Sequence, residues 1–186
     1  MEELEKKTRI LLAVFGVLNV IEYLTALSHV RMTLLDNVLL LLNIGWAIAL
    51  FLPQRDKIMT ALTAVGTIRA LLVLRLGMVV RISPLYNLPY VLTPLVLLLF
   101  LMAITRPGLE SWLPKVETLW FLPFAFSLIG VIFENLPLLL RAGIRPAFLL
   151  WILVDIAYAG AVFFICAWMR ERARQQLRTG NGGEAD

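Results

Sequence analysis

The chain has 186 residues, 60% of them hydrophobic, with mean hydropathy +0.85 and a formal net charge of +4. Soluble domains run nearer about 45–50% apolar, so a soluble core is excluded and lipid is the expected solvent. The basic balance does not point to nucleic acid, because Lys and Arg fall in short clusters between apolar runs, as membrane topology requires.

About 20 apolar residues are needed to cross the hydrocarbon, and six runs qualify in chain order. The first is 10–28. It follows "MEELEKK", whose acidity, together with Glu22 inside the run, reads as a retained helix rather than a cleaved signal peptide. The second is 34–52, ended by "PQRDK". The third, 58–80, contains "TIRALLVLRLGMVVRI" and places Arg69 and Arg75 inside the apolar run. The fourth, 85–104, holds Pro89 and Pro94 and ends at "TRPG". The fifth, 116–140, holds Pro123 and Pro137, and the sixth is 147–169. Proline-bearing spans are expected to kink. Residues 1–172 thus read as one all-α bundle of six transmembrane helices with short loops, and 173–186 as a frayed tail.

Orientation follows from the loop cations. With both termini cytoplasmic, eleven Lys and Arg lie on inner segments, four (Arg31, Arg81, Arg141, Arg145) lie on outer ones, and Arg69 and Arg75 remain within the membrane. Trp112, Trp120 and Trp168 then fall at the inner interface and Trp151 at the outer one, forming aromatic belts. The expected location is the inner (cytoplasmic) membrane, multi-pass. Small residues four apart, at Gly45/Ala49, Gly66/Ala70 and Ala157/Ala161, permit close helix approach.

Arg69 and Arg75 carry the functional question. Each costs about 2.5–3.5 kcal/mol at a helix centre, whereas the ten Leu, Ile and Val of that span each return about 0.3–0.6. The span is nearly neutral alone and needs partners. Glu22, Asp36 and Glu134 lie in the outer parts of their spans and Asp155 lies nearer the middle. Asn37, Asn135 and Tyr158 supply further hydrogen bonds, as do Asn19, Tyr23 and Asn43. Six residues turn a helix by about 240°, so Arg69 and Arg75 face different neighbours. Intramembrane ionisable groups mark solute or ion pathways unless they only fix helix register.

The leading expectation is therefore transport or binding of a small anionic or polar solute, or an ion, at Arg69 and Arg75. Glu22, Asp36, Glu134 and Asp155 would neutralise the arginines in the empty site or relay protons. The alternatives are a non-catalytic subunit of a larger membrane complex or homo-oligomer, and a lipid-acting enzyme. Enzymatic motifs are absent: there is no phosphate loop, Ser nucleophile elbow, zinc-protease motif or Asp cluster for metal-bound diphosphate. Single residues Cys166 and His29 exclude an internal disulfide, a Cys-based metal cluster and a bis-His haem, and no cofactor is expected. His29 reads as an interfacial residue, Cys166 as apolar packing and Glu117 as solvated near the inner interface.

"LDNVLLLLNIG" (35–45) and "FENLPLLLRAG" (133–143) share an acid, Asn, a Leu-rich run and Gly, the pattern of a possible duplication. Arg69, Arg75 and Arg81 fit alternate steps of the three-residue repeat in a voltage sensor's fourth helix, with Leu72 and Met78 between them. "VIEYLTALS" and "TLLDNVLLLLNIGWA" are loosely similar to the first two sensor helices. The sequence departs from that family where deeper acids and a TVGYG-like filter should stand, so the resemblance assigns no function. Size and topology are also similar to the six-helix substrate-capture subunits of vitamin transporters, although no motif supports this.

Overall fold

The computed structural model describes residues 2–27, 34–48, 57, 60, 61, 63, 64, 66–68, 71, 84–142 and 146–181. These are almost entirely helical: α1 (Glu2–Leu27), α2 (Leu34–Ile48), α3 (Pro84–Thr105), α4 (Leu113–Leu119), α5 (Leu122–Ala142) and α6 (Pro146–Asn181), with a 3-10 turn at Glu110–Trp112. Among the described residues three helices are long and apolar enough to cross a membrane, within Glu2–Thr25, Leu122–Arg141 and Phe148–Gly180, and Val91–Thr105 is a shorter apolar helix. Most of the expected third span, including Arg69 and Arg75, lies outside the described residues.

The core collects around α6, which packs against α1, α3, α4 and α5. Leu12 of α1, Leu97 and Leu101 of α3, Leu113 and Val116 of α4, and Val162, Ile165, Trp168 and Met169 of α6 share one buried cluster. A second cluster joins Phe15 to Val154 and Ala157. The α1–α6 seam is close because α6 presents Ala157, Gly160 and Ala161 there; a Cβ added at Gly160 would stand 3.7 Å from Leu11 Cδ1. Outward faces stay apolar, with Ile10, Val17, Leu24, Ile132, Leu136, Leu153 and Ile156 all exposed. Surfaces of this kind suit lipid contact rather than water.

Two boundaries differ from the sequence-based spans. The fifth run is not one helix: it breaks at Trp120–Phe121 between α4 and α5. Pro123 has no N–H to offer the Leu119 carbonyl, and the regular pattern resumes with Ala125 N–H donating to Phe121 O at 3.0 Å. The helix that carries the sixth run extends past 169, into the segment expected to be a tail. The helix continues to Asn181, because Ala173 is fully buried, Leu177 packs on the core and Gln176 Nε2 donates to Ile104 O at 3.1 Å.

Between α3 and α4 the chain turns at Gly108, whose φ of +89° is the left-handed region that glycine enters without Cβ cost. Inside α3, where Pro89 and Pro94 interrupt the ladder, the Thr93 hydroxyl reaches Pro89 O at 2.9 Å and Pro123 O of α5 at 3.3 Å. Ser127, fully buried, finds no partner among the described residues.

Candidate functional site

The polar side chains of the apolar bundle meet in pairs across helix seams. On the α1–α2 seam, Asn43 Nδ2 donates to Asn19 Oδ1 at 2.8 Å, and the Tyr23 hydroxyl donates to Asn37 Oδ1. Asn19 is buried and anchors its own amide by donating to Phe15 O at 2.8 Å. On the α5–α6 seam, Asn135 Nδ2 donates to Asp155 Oδ2 at 2.8 Å and to Val131 O at 2.9 Å. An unpaired buried amide would forfeit its hydration, so each seam is held by groups that satisfy one another.

The α1–α6 packing sets the depth of these pairs. Gly160 lies against Leu11, and the Phe15 and Tyr158 rings meet at 5.5 Å. Antiparallel helices in that register bring Asn19 level with roughly residues 152–154, about 1.5–4.5 Å from the height of Asp155 at 1.5 Å per residue. Asn19, Asn43, Asn135 and Asp155 therefore lie near one level of the bundle, on neighbouring helices, with Tyr158 at the height of Phe15, more than one turn away.

The other expected residues divide. Glu22 is half-buried on α1, one turn beyond Asn19. Glu134 is exposed on α5 between Phe133 and the buried Asn135. Asp36 sits in α2, with its side chain outside the described set. Both Asn residues of the two acid–Asn stretches, Asn37 and Asn135, bond across a helix seam. Cys166 is fully buried in the main cluster, as apolar packing requires. No group of three or more His, Cys, Asp or Glu suited to a metal occurs among the described residues.

The opposite end of the bundle gathers cations. The start of α1, the α3–α4 link and the end of α6 converge there, with Leu4, Trp112 and Leu177 packed on one cluster. Arg170 lies 5.1 Å over Trp120, Arg172 lies 5.0 Å over Trp168 and Lys115 lies 4.5 Å over Trp112. Trp151 stands at the far end, exposed and edge-on to Phe148. Glu117, expected to be solvated, instead accepts from Arg174 Nε at 2.6 Å and Arg170 Nε at 3.3 Å, clamping α4 to α6. Composition could not show this pairing, but Arg170 and Arg174 stand four apart, so both occupy one face of a helix.

The Arg174 hydrogen bond, reinforced by Arg170, holds the Glu117 carboxyl below its ordinary value of 4.5. A carboxylate whose pKa is depressed in the folded state stabilises above its ordinary value and loses that contribution as pH falls through the lowered one. Acidification below about 4.5 should therefore lower the melting temperature. Glu117→Gln should melt lower at neutral pH and show a flatter acid limb, which differential scanning fluorimetry from pH 7 to pH 3 would check.

No protein-family model matches the chain, and neither a curated protein nor a solved structure matches it.

Proposed function

We propose that the protein is a six-span membrane protein with both termini cytoplasmic, and that its outer-half polar layer binds and passes a small polar or anionic solute or an ion. The single observation carrying this reading is the similar depth of the Asn19–Asn43 and Asn135–Asp155 pairs within an otherwise apolar bundle. Polar groups concentrated at one level among apolar helices are the usual lining of a solute site. Arg69 and Arg75 are assigned as the main anion-binding groups, because a guanidinium pairs bidentately with carboxylate and phosphate. Glu22, Asp36, Glu134 and Asp155 balance their charge. The gathering of Lys6, Lys7, Arg9, Lys115, Arg170 and Arg174 toward one end supports placing that end at the cytoplasmic face of an inner membrane.

Native mass spectrometry of the gently extracted protein tests this. A small polar ligand should accompany the wild type and be lost on Arg75→Gln and Arg69→Gln. Unchanged ligand on folded variants would end the transport reading.

One observation favours a second reading, a subunit of a larger complex. Glu134 is exposed beside exposed Ile132, Phe133 and Leu136 and makes no ion pair among the described residues. A carboxylate on a lipid-facing surface is costly, whereas a neighbouring chain bearing Arg or Lys would cover it. A stoichiometric partner in the same spectra, lost on Glu134→Gln, would select this reading.

A further inference from the structure

A groove of about 480 Å³ runs along α1, with Lys6 and Arg9 at its mouth and Ile10, Val14, Val17 and Leu18 along its length. We propose that it seats one acyl chain of an anionic phospholipid, with the lipid phosphate held by Lys6 and Arg9. The proposal rests on the membrane reading above but not on the solute site.

Three features identify the occupant. First, most of the groove lies on the face of α1 turned away from α6: the seam uses Leu11, Leu12 and Phe15, exposed Ile10, Val14 and Val17 form the groove, and Leu18, packed on the Phe15 cluster, closes its far end. Below its mouth it offers only hydrocarbon. Second, its length suits one leaflet. From Arg9 to Leu18 the helix rises roughly 14 Å, close to the roughly 15 Å hydrocarbon depth of half a bilayer. Third, the mouth carries positive charge at the headgroup level. It lies at the end of the bundle where Lys115 over Trp112 and Arg170 over Trp120 mark the interface.

The two cations differ in role. Arg9 donates to Glu5 at 2.6 Å, so its charge is partly spent within the helix and its guanidinium is fixed in place. Lys6 is exposed and makes no ion pair among the described residues, whereas neighbouring Lys7 is held by Glu3 at 2.8 Å. Lys6 is therefore the cation with its charge available to a phosphate. A zwitterionic lipid would bring its own cation to the same place. That selects a headgroup with net negative charge.

The test uses the full chain in nanodiscs of equimolar phosphatidylglycerol and phosphatidylcholine with matched acyl chains, released into a native mass spectrometer. Phosphatidylglycerol adducts should exceed phosphatidylcholine adducts at least threefold on the wild type, and Lys6→Glu should bring the ratio to parity. Val14→Trp, which fills the groove and keeps both cations, should lose retained lipid of either kind. Added inorganic phosphate should not displace the lipid, because the chain as well as the headgroup is bound. An unchanged ratio on Lys6→Glu overturns the proposal, as does displacement by phosphate or a groove-dependent dimer in place of lipid. Lys6 is exposed, so its variant decides the matter even if Val14→Trp fails to fold. A chain that stays in solution without detergent would instead overturn the membrane reading itself.

Discussion

Asp155→Asn is expected to weaken solute binding at least tenfold while leaving the bundle folded. Asn135 Nδ2 donates to Asp155 Oδ2 across the α5–α6 seam, and an asparagine carbonyl at 155 can accept the same hydrogen bond. The substitution thus removes charge and keeps geometry. A tenfold loss corresponds to about 1.4 kcal/mol, the scale of one charge-assisted contact. Asp155→Leu removes the link as well. Interhelical hydrogen bonds in membranes average about 0.6 kcal/mol and reach about 1.7, so this variant should melt modestly lower. The measurement is thermal stability in detergent across a panel of small carboxylates, inorganic phosphate and alkali cations. A true ligand at a hundredfold its dissociation constant stabilises by about 2.7 kcal/mol. If Asp155→Asn kept the full ligand-induced shift, the Asp155 charge would have no part in binding and the pair would serve only as a cross-brace.

Ala161→Leu is expected to destabilise the protein by about 1–3 kcal/mol, whereas Gly160→Ala one position earlier should be tolerated or stabilising. In lipid, transferring an apolar side chain out of water no longer drives association, so close packing carries the seam. Ala161 is completely buried in the cluster that contains Leu12, leaving no room for a branched side chain. At Gly160 the added methyl meets Leu11 at an ordinary contact distance of 3.7 Å. Removing a helix-interior glycine returns about 0.8–1 kcal/mol of propensity. Heating followed by size-exclusion chromatography would rank the two variants, and the reverse order would show that α1 and α6 do not meet along this stripe.

Much of the helical content was legible because apolar runs of membrane length leave few alternatives. Near Pro123 a kink was legible, since a proline within a run marks one, but a break into two separate helices was not. The length of α6 was missed for a specific reason: a search for spans stops where charge begins, at Arg170. Yet Ala173 and Leu177 continue the buried stripe at four-residue spacing, and the helix follows them. The candidate residues were chosen as polar types at similar depth, and two of them, Asn135 and Asp155, are bonded to each other. Their pairing was not legible. Asp155 bonds the Asn135 amide across the α5–α6 seam, and Glu117 finds two arginines more than fifty residues away. Partners so distant in sequence are chosen by helix packing, which no local pattern encodes.

The position of α6 in the chain has a consequence for biosynthesis. Among the described helices it is made after all the others, yet α1, more than a hundred residues earlier, packs its main seam against it. During translation α1 must wait with Leu12 and Phe15 uncovered until α6 has emerged. At about 5–20 residues per second, the residues between them impose a delay of many seconds. Hydrocarbon makes that wait harmless for an apolar face, but Asn19 has no such shelter, and its donation to the Phe15 carbonyl lies within α1 itself. That local bond lets the first helix enter lipid before any neighbour exists. A chain stopped before residue 146 would hold α1 and α5 without the element that joins them, leaving an exposed intermediate for membrane quality control.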